Sequence, residues 1–356
     1  MKIITVCGTR PELIRLSIII RKLDNLVNHV FVYTNQNYTS TLRDSFFYDL
    51  GIREPDYTFE PTDGSFSLFM SEGIKRFEAI LKDEKPDKIL VLGDTNSGLL
   101  TLVANRMSIP IYHMEAGNRC FDKRVPEETN RRLIDHLATY NLPYTDNSKQ
   151  NLLAEGFDKN YVLKTGNPIL EVITYYKSRI ECSDILNTLD LKAQEYVLVT
   201  MHRSENVDDV DTLSSLMTSL DNIAKSLPVI VSVHPRTKHK MLKNNLTFSN
   251  ENVKVCEPFG FFDFVHLESN AKAVISDSGT VQEECCLLGV PSLTIRESTE
   301  RHETIECGSN ILVGTDFLKI EEAFNTITKW SIKWRPPEDY VIANVSDIVI
   351  NILLGK

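Results

Sequence analysis

The sequence predicts an α/β protein of two Rossmann-like domains, each a doubly wound parallel sheet with helices on both faces. Three observations predict this class. Short apolar runs rich in valine and isoleucine recur, each precedes a helix-length stretch, and the runs form two series, one in each half of the 356 residues. Near-continuous apolar strands that alternate with helices are typical of parallel sheets buried on both sides. At roughly 150 residues per domain, the length also fits two domains.

Eleven runs are predicted strands. In the first half they are residues 3–7, 29–34, 88–93, 109–115 and 161–166. In the second half they are residues 196–202, 229–234, 252–257 and 272–277 and the runs that begin at Pro291 and Asn310. In open parallel sheets, ligands bind at the carboxyl ends of the strands, so polar residues directly after each run are the candidates for a site.

The predicted boundaries divide the chain into an N-terminal domain, 1–170, and a C-terminal domain, 171–336. The polar stretch 177–195 is the predicted linker, and the paired prolines after Trp334 are expected to end a helix. A last helix within 337–356 has an apolar face and is assigned to the N-terminal domain, although packing on the C-terminal domain fits the pattern equally. The residues of that face are Val341, Val345, Ile348, Val349 and Ile352.

Composition excludes several classes. The chain is 42% hydrophobic and 25% charged, as in ordinary globular proteins. Acidic residues outnumber basic ones by 49 to 39, and a net charge of −10 repels a phosphate backbone, so nucleic acid is not an expected partner. The N-terminal apolar run is too short for a signal peptide or a membrane span. Seven cysteines without a CxxC pair predict a cytoplasmic protein with reduced thiols and no zinc site.

The first strand ends in Gly8-Thr9-Arg10-Pro11-Glu12. Backbone N–H groups at a helix start and the Arg10 guanidinium suit an anionic group. A plain β–α turn fits the same residues. GxGxxG and GxxxxGK[ST] are absent, so the nicotinamide and P-loop interpretations lack their motifs.

Two carboxylates follow later strands of the first half. Asp94 comes after residues 88–93, where a helix N-cap is the commoner use of an aspartate. Glu115 comes after an apolar strand, and burial there raises a carboxyl pKa toward that of a general acid or base. A structural ion pair with Arg119 is the alternative for Glu115.

The segment that begins at Pro126 reads as a helix start rich in charge. Glu127 and Arg131 share one helical face, and Glu128 and Arg132 share the neighbouring face. One such pair is ordinarily solvated. The other is expected beside the carboxylates of the preceding strand ends, where several acids would surround one reacting carbon.

In the second half, His202, Arg203 and His234 directly follow predicted strands. Two histidines at strand ends suit a metal, but no third ligand has the spacing of a metal site. A general acid or a phosphate contact fits these residues better.

A strand, a turn of small residues and a helix are predicted around Ser278-Gly279-Thr280. The backbone amides at such a helix start form an anion site. Glu284, about one turn into the helix, suits the diol of a ribose, and Arg296 follows the next strand. An aromatic run that includes Phe264 is more often core, although one ring could stack on a base.

Eight motifs occur in order along nearly the full chain: GTRPE, GDTNS, HMEAGNR, PEETNRR, the strand-end HR, HPR, SDSGTVQEE and STER. Together they resemble the non-hydrolysing UDP-N-acetylglucosamine 2-epimerase family. The stretches HMEAGNRCFDKRVPEETNRR, PELIRLS and PFGFFDF resemble one branch of it, the UDP-N-acetyl-L-fucosamine synthases and L-quinovosamine-type relatives. That branch inverts C2 of UDP-2-acetamido-2,6-dideoxy-L-hexoses.

The resemblance implies a GT-B-like fold with UDP in an interdomain active-site cleft, a homodimer, and catalysis without metal or another cofactor. One base removes the C2 proton while UDP leaves C1, which gives a 2-acetamidoglycal. UDP then adds back as a proton arrives on the opposite face of C2. By motif position, Asp94, Glu115 and Glu127 are the acid/base carboxylates, and His202 lies near the diphosphate or the leaving oxygen.

The same resemblance implies the binding residues. They are Arg10, Arg15, Arg131, Arg203, His234, Phe264, Ser278, Gly279, Thr280, Glu284 and Arg296. Among them, Glu284 would bind ribose and Phe264 would flank uracil. The chain departs from the usual family pattern at Arg15, where founding members carry lysine, and at His302, where proline commonly follows the arginine.

Three alternatives remain open at this stage. A UDP-N-acetylglucosamine 2-epimerase would act on a sugar that keeps its C6 hydroxyl. A GT-B glycosyltransferase shares the fold and nucleotide but needs an acceptor, and three cleft carboxylates argue against it. A catalytically silent UDP-sugar sensor would bind nucleotide without exchanging the C2 proton.

Overall fold

Two six-stranded parallel sheets organise the chain. The computed structural model describes residues 1–36, 46–61, 65–330 and 332–355. Contacts divide the chain into unit 1, Met1–Val172 with Asp339–Lys356, and unit 2, Ile173–Glu338. Among the residues described, one sheet lies in each unit, and every strand pairing is parallel.

The sheet of unit 1 has the strand order β3-β2-β1-β4-β5-β6. Its strands are β1 Lys2–Cys7, β2 Asn28–Tyr33, β3 Tyr57–Thr58, β4 Lys88–Leu92, β5 Ile111–Met114 and β6 Tyr140–Leu142. The sheet of unit 2 has the order β12-β11-β10-β7-β8-β9. Its strands are β7 Val197–Met201, β8 Val229–Val233, β9 Val253–Cys256, β10 Ala273–Ser276, β11 Ser292–Thr294 and β12 Asn310–Leu312. The predicted doubly wound α/β class is confirmed.

Helices connect the strands in both units. In unit 1 they are α1 Arg10–Leu26, α2 Phe66–Glu84, α3 Asn96–Leu99, α4 Thr101–Arg106, α5 Pro126–Leu137, α6 Asp146–Ala154 and, across the unit boundary, α7 Ile169–Tyr175. In unit 2 they are α8 Lys177–Glu181, α9 Ile185–Thr188, α10 Ser204–Val207, α11 Val210–Ile223, α12 Pro235–Lys243, α13 Phe261–Asn270, α14 Gly279–Leu288, α15 His302–Glu306 and α16 Phe317–Lys329. The last helix, α17 Val345–Leu354, returns to unit 1. None of these helices is long and apolar enough to cross a membrane, within the residues that the structure describes.

The predicted strand at 161–166 is wrong. A 3₁₀ turn ends at Tyr161, and only Val162 forms a bridge, with Asn141 of β6. Val162 is buried while Tyr161 is exposed, so the segment lacks the continuous buried face of a parallel strand. It lies along β6 through backbone hydrogen bonds from Leu163 to Asn141 and from Thr165 to Pro143.

The predicted linker at 177–195 is also wrong, because α8 and α9 lie within it. Four apolar side chains of this polar stretch are half-buried against an apolar cluster of unit 2. They are Ile185, Leu186, Leu189 and Leu191. Both short helices contact α13, so the stretch belongs to the packed body of unit 2.

The C-terminal helix packs on α1 of unit 1. Lys22 Nζ donates to Ser346 Oγ at 2.7 Å and pairs with Asp347 at 2.5 Å. The buried face differs from the predicted one, since Val341 precedes the helix and is exposed. The buried apolar residues of the helix are Val345, Val349, Ile350 and Leu353.

Thr145→Ala is expected to lower the free energy of unfolding by about 1 kcal/mol. Thr145 is the N-cap of α6, and its Oγ1 accepts a hydrogen bond from the backbone N–H of Ser148 at 3.1 Å. Alanine leaves that N–H without its acceptor. Urea unfolding followed by circular dichroism measures the change. Thr145→Ser keeps the hydroxyl, so a loss as large in the serine variant would contradict the capping role.

Candidate functional site

Two predicted acid/base carboxylates meet at the carboxyl end of the unit 1 sheet. Asp94 follows β4 after Gly93, and Glu115 follows β5 in a left-handed conformation with φ of 66°. The N–H of Gly93 donates to the carbonyl of Met114 at 3.0 Å, which ties the two strand ends together. A Cβ added to Gly93 would lie 3.9 Å from Oε2 of Glu115. The Glu115 carboxylate therefore lies directly beside the residue that precedes Asp94.

Each of these carboxylates is paired with a buried arginine. Arg131 Nη2 lies 2.6 Å from Asp94 Oδ2, and Arg15 Nη1 donates to Glu115 Oε2 at 3.0 Å. The N-cap interpretation of Asp94 is wrong, because Thr95 is the N-cap of α3. Two arginines predicted to bind the nucleotide thus pair with two of the predicted acid/base groups.

The alternative ion pair between Glu115 and Arg119 is not formed. Arg119 instead pairs with Asp135 at 2.8 Å and with Glu155 at 2.6 Å. Burial lowers the pKa of Arg119, but hydrogen bonds to Glu155 and the charge of Asp135 raise it above its ordinary value. The guanidinium therefore stays charged inside the unit.

A buried histidine links this ion pair to the strand ends. His113 Nδ1 lies 2.9 Å from Asp135 Oδ1, and its Nε2 donates to the carbonyl of Gly93 at 2.8 Å. The N–H of Gly117 also faces the Asp135 carboxylate, at 3.3 Å. His113 and Asp135 have no exposed surface. Sequence reasoning missed both residues, whose positions fix the turns that carry Asp94 and Glu115.

The third predicted carboxylate, Glu127, is half-buried on the first turn of α5, one turn before Arg131. Its neighbour Glu128 is buried and accepts from the N–H of Cys120 at 3.0 Å and from Arg132 at 2.9 Å. The predicted Glu128–Arg132 pair exists, with its acidic partner buried. The helix is also tied to the β4 end, where Asn130 Nδ2 donates to the carbonyl of Asp94 at 3.0 Å.

Residues at the start of α1 complete this part of unit 1. Arg10 is half-buried 5.5 Å from the ring centre of Phe46, and burial lowers its pKa. Glu12, which sequence reasoning did not assign, accepts from the N–H groups of Gly8 and Thr9 at 2.8 and 2.7 Å. Its other oxygen accepts from Thr95 Oγ1 at 2.7 Å. Burial raises the pKa of Glu12 to about 7 although these hydrogen bonds lower it. The T-x-x-E spacing of a capping box was the signal for this residue.

In unit 2, the buried Asp277 organises the β7 end. Its Oδ2 accepts from the backbone N–H groups of His202 and Arg203, both at 2.9 Å, and from Asn206 Nδ2 at 3.0 Å. His202 Nδ1 lies 3.2 Å from Asp277 Oδ1, while the imidazole is 42% exposed. Asp277 lies within the motif SDSGTVQEE, and sequence reasoning assigned it no role. It fixes the orientation of the His202 ring and leaves that ring open to a ligand.

The two predicted histidines lie side by side, with ring centres 6.0 Å apart. His234 is the N-cap of α12, where its ring nitrogen accepts from the N–H of Arg236 at 3.2 Å. No group of three or more metal-binding side chains occurs among the residues described. The arrangement suits contact with an anion by His202 better than metal binding.

The start of α14 is formed by small residues, with Glu300 and Arg296 close by. Ser278 is its N-cap and makes no side-chain capping hydrogen bond, and Thr280 follows half-buried in the first turn. A Cβ on Gly279 would come within 2.7 Å of Glu300 Oε1, so glycine permits a close approach there. Glu300 pairs with the buried Arg296 at 3.0 Å. The start of α14, Glu300 and Arg296 thus lie close together in unit 2.

Glu284 and Phe264 lie on neighbouring helices of unit 2. Glu284 is buried on α14, and Phe264 on α13 is half-buried against an apolar cluster. Phe261 of the aromatic run is buried, as the core interpretation predicts. The structure thus places Ser278, Gly279 and Glu284 on one helix of unit 2.

Comparison with known proteins shows what the chain is similar to. A family model described as UDP-N-acetylglucosamine 2-epimerase matches residues 21–354. A UDP-N-acetylglucosamine 2-epimerase of Methanococcus maripaludis is 37% identical over an aligned length of 366 residues, gaps included. The alignment covers 100% of this chain and 99% of the relative. The UDP-2,3-diacetamido-2,3-dideoxy-D-glucuronate 2-epimerase of Pseudomonas aeruginosa is 32% identical, and the match covers 92% of each chain.

Solved structures show the same fold. The crystal structure of the Methanocaldococcus jannaschii UDP-GlcNAc 2-epimerase in complex with UDP-GlcNAc and UDP matches with a TM-score of 0.94 and 36% identity, over 99% of both chains. The lipopolysaccharide outer core galactosyltransferase WaaB matches with a TM-score of 0.54 at 12% identity, over 99% of both chains, and so shares the fold alone. The GT-B-like fold predicted from the sequence is confirmed.

Proposed function

The chain belongs to the UDP-N-acetylglucosamine 2-epimerase family and is an isomerase, and from that membership we propose that it is a non-hydrolysing C2 epimerase of a UDP-2-acetamido-2,6-dideoxy-L-hexose. The reaction proposed is of the L-talose to L-fucosamine type or of the L-rhamnosamine to L-quinovosamine type. The proposal keeps the branch that the chain's own motifs resemble.

The observation that carries the proposal is the pair of carboxylates at the ends of β4 and β5. Asp94 and Glu115 follow neighbouring strands, and each is paired with a buried arginine. Inversion at C2 needs a base on one face of the carbon and an acid on the other. Glu127, one turn from the arginine that holds Asp94, is the third candidate for a proton transfer.

In the proposed reaction, one carboxylate takes the C2 proton as the C1–O bond to UDP breaks, and the electron pair forms the C1–C2 double bond of a 2-acetamidoglycal. UDP then attacks C1 as a proton is delivered to the opposite face of C2. No other reactant is consumed. The groups that absorb the charge of the departing diphosphate are the amides at the start of α14 and the guanidinium of Arg296.

Unit 2 supplies the nucleotide contacts in this proposal. His202, oriented by Asp277, would contact the diphosphate or the leaving oxygen, with Arg203 and His234 nearby. Glu284 would bind ribose, and Phe264 would flank the uracil. In unit 1, Arg10 would contact a phosphate from the start of α1.

UDP-N-acetylglucosamine is the second candidate substrate, because the relative from Methanococcus maripaludis carries that substrate in its name. Its sugar keeps a hydroxyl at C6 that the dideoxy sugars lack. A site that hydrogen-bonds a hydroxyl rejects the deoxy analogue by roughly 10⁴-fold or more. The two substrates should therefore be clearly separated by experiment.

Cytoplasmic localisation and a homodimer stay predictions from the sequence.

Proton NMR in D₂O is the test, with UDP-N-acetylglucosamine and a UDP-2-acetamido-2,6-dideoxy-L-hexose as separate substrates and no acceptor added. Deuterium at C2 and a second epimer from the deoxy sugar alone are the expected result. Turnover of UDP-N-acetylglucosamine alone would keep the mechanism and replace the substrate. If folded protein produces neither deuterium at C2 nor a second epimer from either sugar, the proposed epimerase is rejected and a transferase or a sensor is favoured.

A further inference from the structure

A buried carboxylate links two turns at the carboxyl edge of the unit 1 sheet. Strands β1 and β4 are neighbours there, although the chain leaves β1 toward β2 and returns to β4 on the other side. Ligands of doubly wound sheets bind in the crevice at such a reversal of strand order. The turn after β1 leads to Arg10, and the turn after β4 carries Asp94. Glu12, on the first turn of α1, is 2% exposed and is hydrogen-bonded to both turns.

Glu12 accepts hydrogen bonds with both of its carboxylate oxygens. Its Oε2 accepts from the N–H of Gly8 at 2.8 Å, and from the N–H and the hydroxyl of Thr9 at 2.7 and 2.9 Å. Its Oε1 accepts from Thr95 Oγ1 at 2.7 Å, across 83 positions of the chain. A capping box needs only the bond from the N-cap N–H, here that of Thr9. The bond from Thr95 lies outside α1, so the start of that helix does not account for it.

The hydroxyl of Thr95 is not used in the way that its position favours. Thr95 is the N-cap of α3, where a threonine side chain normally accepts from a backbone N–H of the first turn. Among the residues described it forms no such capping bond, and its hydroxyl donates to Glu12 instead. Because Thr95 directly follows Asp94, the bond restrains the backbone that carries a proposed acid/base group.

We propose that Glu12 is a positioning residue, which holds Thr95 and thereby fixes the orientation of Asp94 for proton transfer at C2. This inference rests on the proposed function, in which Asp94 transfers a proton. Such a transfer needs donor and acceptor within hydrogen-bond reach, and a misplacement of about 1 Å can cost about a hundredfold in rate. Arg131 and Asn130 hold Asp94 from α5, and Glu12 restrains the same turn from α1.

Thr95→Val tests the inference, because valine has the shape of threonine without its hydroxyl. Deuterium incorporation at C2, measured over a range of concentrations of the UDP-sugar that wild type converts, gives kcat and KM. We expect kcat to fall about 10–100-fold, with KM and the dissociation constant of UDP within about twofold of wild type. Thr95→Ser keeps the hydroxyl, and its kcat should stay within about threefold of wild type.

The matched control is Thr101→Val, the same chemical change at a nearby buried threonine. Thr101 Oγ1 donates to the carbonyl of Gly98 at 2.6 Å, and its side chain has no exposed surface. This bond is local to the helices after β4, so kcat of the variant should stay within about twofold of wild type. A loss in Thr101→Val as large as that in Thr95→Val would overturn the inference.

A double variant asks whether the effect passes through Asp94. In an Asp94→Asn background, Thr95→Val should lower kcat no further, since the group that is positioned is already absent. Additive losses would overturn the inference, and so would a serine variant as slow as the valine variant or a loss confined to KM. Thr95→Ala removes the hydroxyl without placing a methyl group against Glu12, and it replaces the valine variant if that one does not fold. Failure of both to fold would assign the hydroxyl to stability and would also overturn the positioning role.

The failure of the proposed function looks different. Wild-type protein that puts no deuterium into either sugar, or an Asp94→Asn variant as fast as wild type, would remove the acid/base role of Asp94 itself. Exchange that is lost in Asp94→Asn but intact in Thr95→Val would remove only the role of Glu12.

Discussion

Asp94→Asn is expected to lower the rate of C2 epimerisation by about 10²–10⁴-fold, the usual contribution of a positioned general acid or base. Asparagine has the shape of aspartate and keeps an oxygen for Arg131, which lies 2.6 Å from the native carboxylate. The substitution therefore removes the proton acceptor and leaves the local geometry in place. Deuterium incorporation at C2 in D₂O, followed by NMR, measures the loss, and calorimetry should show UDP affinity changed less than about threefold.

Glu127→Gln tests the carboxylate on α5 in the same assay and is expected to slow exchange by about 10²–10⁴-fold as well. The matched control is Asp146→Asn, the same chemical change at an exposed carboxylate that pairs with Lys164 at 2.8 Å in unit 1. Its activity should stay within about twofold of wild type, since exposed ion pairs contribute little. Deuterium exchange retained in both Asp94→Asn and Glu127→Gln would remove these residues from the acid/base roles.

The fold class could be predicted from the apolar runs, because a parallel strand that is buried on both faces has a nearly continuous apolar sequence. All six strands of unit 2 coincide with predicted runs, and four of unit 1 do. The two strands that were missed are β3, which has two residues and no buried one, and β6, which has three. The wrong strand at 161–166 has β-branched residues but lies along the edge strand β6, where only Val162 forms a bridge among the residues described. Local pattern cannot distinguish these cases, since the partner strand decides them.

Several of the predicted site residues of unit 1 follow strand ends, where the topology determines which of them are neighbours. The topology alone brings Asp94 and Glu115 together, because β4 and β5 are neighbours in the sheet. Their partners could not be predicted, since Arg15 meets Glu115 across 100 positions of the chain. Arg119 is closer to Glu115 in the sequence, but it pairs with the buried Asp135. Ion pairs between residues far apart in the chain depend on tertiary packing, which the spacing of residues in the sequence does not reveal.

Asp135→Asn is expected to lower the free energy of unfolding by about 3–5 kcal/mol, the usual cost of removing one partner from a buried ion pair. The native carboxylate faces Arg119 at 2.8 Å, His113 at 2.9 Å and the N–H of Gly117 at 3.3 Å, inside unit 1. Asparagine has one acceptor oxygen where the carboxylate has two, and its NH₂ group cannot accept from Arg119 or from the N–H of Gly117. The guanidinium of Arg119 then keeps only Glu155 as a charged partner among these groups.

Guanidinium chloride unfolding, followed by circular dichroism and calorimetry, measures this loss. Glu72→Gln is the control, because it breaks an exposed pair with Lys75 at 3.3 Å and should cost less than about 1 kcal/mol. Arg119→Met combined with Asp135→Asn should cost less than the two single changes added together, since the charge left unpaired by the first change is gone. Additive costs would contradict the coupling. A stable Asp135→Asn variant that lost epimerisation would instead show that this ion pair chiefly fixes the turns that carry Asp94 and Glu115.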